Sequence, residues 1–247
     1  MLTVFLVFIV SVVGTFLSVI SGGGASLITI PMFLSFGMPA QLAISVNKLS
    51  GVFSMPISAY IYLKGKKINW VFLLVFSLVG LVGSYFGAVF VIKTDQGILE
   101  KIMGVIILFF AVYTYFKKDL GIKEKKVHSH LLKLVSYPVA LLMGFYESIM
   151  GTGLGIAFSI LTFYTRGFAL IEALGYYYAI AFFWVAFAAG FYVYHGYYDL
   201  WYMVSAILGS MIGSYFGSRY AKLKGNKFIK TVFVAIGVVL GLKLLLF

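Results

Sequence analysis

Long uncharged apolar runs, separated by short polar or glycine-rich segments, follow one another along the whole chain. Apolar runs of helical length predict membrane segments at residues 4–20, 40–63, 70–92, 102–116, 134–150, 169–194, 200–218 and 231–247. Two further apolar runs, 25–36 and 154–165, are shorter. At 1.5 Å per residue each would reach roughly 18 Å, well below the ~30 Å of the hydrocarbon core. They predict broken or re-entrant half-helices. The pattern leaves open whether these half-helices cross, which gives eight to ten membrane segments.

Each short run begins at a cluster of glycines. The first cluster is Gly22-Gly23-Gly24, and the second lies between Gly151 and Gly155. Glycine inside a helix costs about 1 kcal/mol relative to alanine, so both clusters predict helix breaks. Non-helical backbone is tolerated inside a membrane only where protein covers it or where it lines a cavity. The two breaks are therefore where we expect a binding site.

The second half of the chain repeats the plan of the first at an offset of 130 residues. The sequence from Gly83 to Gly87 recurs letter for letter from Gly213 to Gly217. Further pairs of identical residues share the offset: Gly23 and Gly153, Gly37 and Gly167, and Ala43 and Ala173. Several matches in one register favour a duplication over a chance similarity.

Positive charge assigns the loops to the two sides of the membrane. Cytoplasmic loops are enriched in Lys and Arg, and these residues concentrate in segments 64–67, 117–133 and 219–230. The loops at 93–101 and 195–199 have balanced or negative formal charge and are expected outside. Loops that correspond at the offset therefore face opposite sides, which predicts inverted repeats, the plan of many secondary transporters.

The predicted fold is thus an all-α integral membrane protein with two inverted repeats. Residues 1–116 form the first transmembrane repeat, 117–133 a cytoplasmic linker, and 134–247 the second repeat. Residues 1–20 have no Lys or Arg before the apolar run, so we expect a retained membrane segment and not a signal peptide.

Composition supports the membrane class and narrows the chemistry. Apolar residues make up 62% of the chain and charged residues 11%, where a soluble domain carries about 25% charged residues. The formal net charge of +12 is explained by the basic cytoplasmic loops, so we expect no nucleic-acid partner. The chain has no cysteine, no nucleotide-binding loop, no metal-ligand spacing and no catalytic triad. We therefore expect no cofactor, no metal and no enzymatic activity.

The two glycine breaks predict an anion site. A helix N-terminus carries about half a positive charge and presents free N–H groups. The expected substrate-binding residues are Gly22, Gly23, Gly24, Ala25 and Ser26 at the first break, and Thr152, Gly153, Leu154 and Gly155 at the second. Glycines can instead serve close helix packing. Packing is the preferred interpretation for the GxxxG pairs, namely Gly83 with Gly87 and Gly213 with Gly217.

Three polar residues inside predicted membrane helices are further candidates. Lys48 lies about two turns into its helix beside Asn47, and an ionisable residue at such a depth indicates function. The alternative is a lysine that snorkels to the interface. Asn47 is expected to donate to the substrate anion. Glu147 precedes the second break and either carries a proton for coupled transport or pairs with Lys48.

Other charged and aromatic residues are expected to have lesser roles. Arg166 and Glu172 are expected near an interface, where Arg166 could help to draw anions in, and His195 on the surface. Four aromatic side chains are candidates for lining a cavity, without a choice among them: Tyr176, Tyr177, Tyr178 and Trp184. Tyr177 and Tyr178 correspond to Asn47 and Lys48 at the offset, so the two halves are not chemically equivalent.

The motifs together resemble a known transporter family over essentially the whole chain. They are Gly22-Gly23-Gly24 followed by Pro31, Gly37-Met38-Pro39, Asn47-Lys48, Lys67-Ile68-Asn69-Trp70, and Gly144-Phe145-Tyr146-Glu147 leading into Gly151-Thr152-Gly153-Leu154-Gly155. In order and spacing they look like the sulfite exporter family TauE/SafE, also called the toluene-sulfonate uptake permease family. The chain departs from that pattern at Glu147, where the family often has Asp, and at Thr152, where it often has Pro.

The resemblance implies a multi-pass carrier of the cell inner membrane that moves small organosulfur anions such as sulfite, sulfonates and sulfoacetate. The expected mechanism is alternating access, with export as the expected direction and proton coupling through Glu147 as a hypothesis. The alternatives are an anion channel and an intramembrane sulfur-handling subunit of a complex. The expected partners are the anion and the lipid bilayer. The sequence does not choose an oligomeric state, and a homodimer is one candidate.

Overall fold

In a computed structural model of the protein, the helices coincide with the apolar runs of the sequence. The structure describes residues 2–23, 25–93 and 130–246, together with isolated positions between 105 and 124. Those residues contain eight helices and no strand: α1 (Leu2–Ser21), α2 (Ala25–Ser35), α3 (Ala40–Leu63), α4 (Trp70–Lys93), α5 (His130–Ile149), α6 (Leu154–Arg166), α7 (Leu170–Tyr194) and α8 (Leu200–Leu246). The predicted all-α class is confirmed. Gly24, most of the predicted helix 102–116 and most of segments 93–101 and 117–133 lie outside the described residues.

Four of the described helices are long and apolar enough to cross a membrane, namely α1, α4, α7 and the part of α8 from Leu200 to Val232. The chain is therefore a multi-pass membrane protein. Helix α3 has a similar length but is more polar, because its middle carries Asn47, Lys48 and several serines. These side chains are buried inside the protein. The two short helices α2 and α6 have the positions and lengths predicted for the half-helices.

Glycines allow two pairs of helices to pack with their backbones close together. A Cβ at Gly83 would collide with the Leu141 carbonyl on α5, and one at Gly213 would collide with the Val12 carbonyl on α1. Small residues serve this purpose in membranes, where helix association depends on close van der Waals contact. The packing interpretation of the GxxxG glycines is confirmed by these contacts.

Helix α3 runs through the middle of the molecule and packs against α7 and α8. Serine hydroxyls on α8 bond it to α3 along one face: Ser210 donates to the Ser50 carbonyl (3.0 Å), Ser214 to the Ser54 carbonyl (2.6 Å) and Ser218 to the Ser58 hydroxyl (2.8 Å). Hydrogen bonds between polar side chains and backbone hold membrane helices together in this way. The bonds fix the polar middle of α3 against α8.

Once the offset of 130 residues is applied, α1, α2 and α3 begin and end within two residues of α5, α6 and α7, and α4 begins at the position equivalent to the start of α8. Their packing also corresponds, since α1 packs on α8 while its counterpart α5 packs on α4, the counterpart of α8. This agreement supports the duplication. The opposite orientation of the halves stays a prediction.

The predictions were wrong at two helix boundaries. Helix α5 begins at His130, before the predicted start at 134, and the basic segment 219–230 is helical and not a loop. Within α8 only Gly225 leaves the helical conformation, with φ 81° and ψ 180°. Lysine and arginine are good helix formers, and a run of them resembles a loop only by its charge. Gly225 accommodates the kink because it has no Cβ.

Candidate functional site

A polar layer lies between two apolar clusters in the middle of the molecule, and α3 passes through all three. Near its start Ala43 and Val46 belong to one cluster, and near its end Tyr62 and Leu63 belong to the other. Between them α3 presents buried polar side chains: Asn47, Lys48, Ser50, Ser54 and Ser58. Buried polar groups are costly unless they are bonded, so this layer needs partners from neighbouring elements.

The two glycine breaks face each other across this layer. The Gly22 carbonyl lies directly against Gly155, and a Cβ on Gly23 would lie 3.5 Å from the Gly155 nitrogen. Gly23 (φ 108°) and Gly153 (φ 73°) have left-handed backbone, which glycine adopts without strain. The predicted breaks are therefore present and adjacent in space.

Hydroxyl groups bond the first break to the second. The Ser26 hydroxyl donates to the Met150 carbonyl (2.8 Å) and lies 2.6 Å from the Thr152 hydroxyl. Tyr146 donates to the Thr152 carbonyl (2.7 Å). The start of α2 is thus fixed to the segment that leads into α6.

A buried ion pair joins α3 to the end of α5. Lys48 Nζ lies 3.4 Å from Glu147 Oε1 and also donates to the Glu147 carbonyl oxygen. The two side chains are only 2% and 3% exposed, so Lys48 does not reach a membrane interface. The other carboxylate oxygen of Glu147 accepts a hydrogen bond from the Tyr177 hydroxyl (2.7 Å). Of the two roles considered for Glu147, the structure contains the pairing with Lys48.

Asn47 connects α3 to α2. Its amide Nδ2 donates to the Thr29 hydroxyl (2.7 Å), which in turn donates to the Ala25 carbonyl (2.9 Å). This bond uses one of the two hydrogens on the amide nitrogen, so a second donor stays available for a ligand.

A cavity of about 60 Å³ lies beside the ion pair. Predicted site residues in its wall are Gly23, Ala25, Ser26, Asn47, Lys48 and Glu147. One water molecule needs about 10–15 Å³ of such a cavity, so there is room for a few waters or one small anion. Among the predicted candidates, Gly22, Thr152, Gly153, Leu154 and Gly155 are not in the wall. They lie behind it, where Thr152 and Gly155 contact the first break.

Several wall residues were not predicted from the sequence. They are Thr15 and Ser18 on α1, Ser50, Ser54 and Ser58 on α3, and Gly151 at the second break. Of the four aromatic candidates, Tyr177 and Tyr178 on α7 line the cavity, whereas Tyr176 and Trp184 do not. The spacing of three or four residues places the small polar side chains on one face of each helix. A polar stripe on an otherwise apolar helix was the signal that could have identified them.

Tyrosine hydroxyls bond to backbone carbonyls above and below the polar layer. Tyr62 donates to the Val19 carbonyl (2.7 Å) and Tyr192 to the Ser148 carbonyl (3.1 Å). Tyr62 also stacks on Tyr178, with their ring centroids 6.1 Å apart. Of these tyrosines, Tyr178 is also in the cavity wall.

The remaining candidates lie away from the cavity. Arg166 stacks on Phe72, with its guanidinium carbon 3.6 Å from the ring centroid. Glu172 pairs with Lys66 (3.3 Å), and His195 is exposed, as predicted. No group of three His, Asp or Glu side chains that could hold a metal ion occurs in the described part of the chain.

The chain is similar to known proteins over nearly its whole length. Residues 6–244 match the family described as sulfite exporter TauE/SafE. A Sinorhizobium sp. protein named probable membrane transporter protein ORF9 is 30% identical over 96% of this chain and 90% of its own length. A probable membrane transporter protein of Haemophilus influenzae is 28% identical over 97% of this chain and 93% of its own. The Escherichia coli K12 protein YfcA, also named a probable membrane transporter protein, is 27% identical over 96% and 88%. No solved structure matches the chain.

Proposed function

The chain belongs to the sulfite exporter TauE/SafE family, and from this premise we propose that it is a secondary transporter of a small sulfur-containing anion. It is a membrane transporter of the TauE/SafE type, and its relatives are named probable membrane transporter proteins. Sulfite, sulfoacetate and other sulfonates are the proposed substrates. The proposed location is the cell inner membrane, and the proposed direction is export.

The observation that carries this proposal is the buried Lys48 beside a small cavity at the two glycine breaks. A cation at this depth is expensive to place and is found where it serves a substrate or ion pathway. We propose that the anion binds in the cavity with Lys48 as its charge partner. Asn47 and Ser26, both in the cavity wall, are the proposed uncharged donors.

Charge balance at Lys48 leads to a coupling scheme. The Glu147 carboxylate is paired with Lys48 and neutralises its charge. An incoming anion would place a second negative charge next to that carboxylate, and like charges favour protonation of one of them. We propose that Glu147 takes up a proton when the anion binds, while it stays hydrogen-bonded to Tyr177. Anion and proton then move together, driven by the outward gradient of the anion.

The apolar clusters on either side of the polar layer suggest how access alternates. Each cluster buries aromatic or aliphatic side chains between the cavity and one end of the helices. We propose that the clusters open one at a time around a fixed cavity, as in other transporters with broken helices. A channel would need both to open together.

Transport by the purified protein in proteoliposomes tests the proposal. We expect uptake of sulfite or a sulfonate, accompanied by protons, and slower uptake of chloride. Lys48→Gln should abolish the flux, while Lys93→Gln, which removes the same charge from the exposed end of α4, should leave it unchanged. If none of the sulfur anions moves, or if Lys48→Gln transports like the parent, the assignment fails. Flux of chloride at the same rate as sulfite would favour the channel.

A further inference from the structure

Two apolar grooves flank one ridge on the outer face of α3. The groove between α3 and α8 has a volume of about 770 Å³, and the groove bounded by α3, α4 and α7 about 610 Å³. Both share the ridge formed by Pro56, Tyr60 and Lys64. Each volume lies in the range of about 300–1,000 Å³ in which proteins hold apolar ligands. Two apolar grooves on either side of one ridge match the two acyl chains of a phospholipid.

The ridge ends at the level of a membrane interface. Lys64 directly follows α3, and the side chains of Tyr60 and Trp70 nearby are 66% and 61% exposed. Exposed aromatic side chains of this kind mark the headgroup level of a bilayer. The apolar groove walls below them, which include Leu73, Phe182 and Phe183, lie at the level of the lipid acyl chains.

Three cations meet at this end of the grooves. Lys64, Arg219 and Lys222 all line the α3–α8 groove. Lys222 donates to the carbonyls of Ile61 (2.7 Å) and Lys64 (3.2 Å), and Arg219 lies over the Tyr215 ring at 4.6 Å. These contacts position the cations but do not neutralise them.

In the described part of the chain, carboxylates neutralise the charge of the neighbouring Lys66 but not the charges of Lys64, Arg219 and Lys222. Lys66 pairs with Glu124 and Glu172, and its hydrogen bond to Glu124 raises the pKa of Lys66. Within the residues that the structure describes, no carboxylate lies within ion-pair distance of Lys64, Arg219 or Lys222. Three cations that lack a carboxylate partner among the described residues, above apolar grooves, favour an anionic partner with apolar tails.

From this geometry we infer that the ridge of Pro56, Tyr60 and Lys64 is a binding site for one anionic diacyl phospholipid. Its acyl chains lie in the two grooves, and its phosphate is held by Lys64, Arg219 and Lys222. Basic pockets at the ends of membrane helices recognise anionic headgroups through the same charges. A second copy of this chain would bring the same cations to the surface, so charge favours the lipid over a dimer contact here. The site is separate from the central cavity and does not depend on the proposed substrate.

Lipid binding to the full chain in detergent tests the inference, read by native mass spectrometry and by thermal melting. The probes are phosphatidylglycerol, phosphatidylcholine with the same acyl chains, and soluble glycerol phosphate. We expect one phosphatidylglycerol per chain to bind at least several-fold more tightly than phosphatidylcholine. We expect glycerol phosphate to have no effect, because it lacks the chains that fill the grooves.

Matched variants distinguish a specific lipid-binding site from a general effect of positive charge. Lys64→Gln with Arg219→Gln should weaken phosphatidylglycerol binding on the order of tenfold or more, since each cation near a membrane surface contributes about 1 kcal/mol. Lys67→Gln with Lys224→Gln removes the same net charge from exposed positions outside the grooves and should leave the affinity unchanged. Ile57→Trp fills the α3–α8 groove without changing charge and should also weaken binding.

Four results would overturn the inference. They are equal affinity for the two phospholipids, equal protection by glycerol phosphate, equal losses in the two double variants, and a groove variant that converts a dimer to a monomer without changing lipid binding. Ile57→Trp keeps the test decisive if the double variant at Lys64 and Arg219 does not fold.

Discussion

Replacing Glu147 by glutamine removes one charge of the buried pair and leaves the other in place. Glutamine has nearly the same shape as glutamate, so the packing at the end of α5 should change little. Lys48 would then be a buried cation left with uncharged acceptors, namely the backbone carbonyl of residue 147 and the amide oxygen of the substituted side chain. The stability of Glu147→Gln therefore measures what the ion pair contributes.

The expected loss follows from the geometry. Two unit charges 3.4 Å apart interact by about 5 kcal/mol at an effective dielectric constant of 20. Breaking a buried pair by removing one partner costs roughly 3–5 kcal/mol in proteins, which agrees. We expect Glu147→Gln to melt on the order of 10 °C below the parent, at 2–4 °C per kcal/mol for a chain of this size.

The double variant Lys48→Gln with Glu147→Gln provides the matched control. It removes both charges, and replacing a whole buried pair is often nearly neutral. We therefore expect the double variant to be more stable than Glu147→Gln, although it has one more substitution. Thermal melting in detergent, with all variants at the same pH and salt, gives the comparison.

Ligand rescue links stability to the proposed function. In Glu147→Gln an anion can take the place of the missing carboxylate, so sulfite at about 100 times its Kd should restore about 2.7 kcal/mol of stability. The same concentration should not stabilise the double variant. If Glu147→Gln melts with the parent, or if sulfite stabilises both variants equally, the role given to Lys48 is wrong.

Three further substitutions test separate contacts. Tyr177→Phe should cost about 1.5–3 kcal/mol of stability, because it removes a hydrogen bond to the buried carboxylate, and it should alter the pH dependence of flux, which transport assays between pH 5 and 8 would detect. Ser26→Ala should cost about 1–3 kcal/mol in melting experiments, because the Met150 carbonyl and the Thr152 hydroxyl lose their partner. Gly83→Ala should prevent folding or lower the melting temperature strongly, whereas Gly190→Ala, where a Cβ meets nothing within 4 Å, should be neutral or stabilising. Equal melting of the two glycine variants would contradict the close packing of α4 on α5.

Features that depend on neighbouring residues in the chain were predictable from the sequence. The helix breaks at Gly23 and Gly153 follow from glycine clusters inside apolar runs, and the half-helices follow from their length. The candidates Lys48 and Glu147 were found because a charged residue inside an apolar run can be recognised from the sequence alone. The basic segment around Gly225 was misjudged because charge was given more weight than helix propensity.

Features that depend on contacts between distant residues were only partly predictable. Lys48 and Glu147 are 99 residues apart, so the sequence allowed their pairing without selecting it. The bond from Tyr177 to Glu147 and the place of Ser18 in the cavity wall depend on how α1, α5 and α7 meet. The residues of the second glycine break lie behind the cavity wall because of the same packing, since the Thr152 hydroxyl contacts Ser26.

The polar middle of α3 has a consequence for how the protein is made. During synthesis α3 emerges long before Glu147, so Lys48 meets the membrane without its partner. A lysine at the centre of a helix adds about 2.5–3.5 kcal/mol to the free energy of insertion, and α3 is absent from the four helices apolar enough to span alone. We expect isolated α3 to insert poorly in a glycosylation-mapping assay and Lys48→Leu to insert well. We therefore expect the residue proposed to bind the substrate to delay the integration of its own helix until the second half of the chain has arrived.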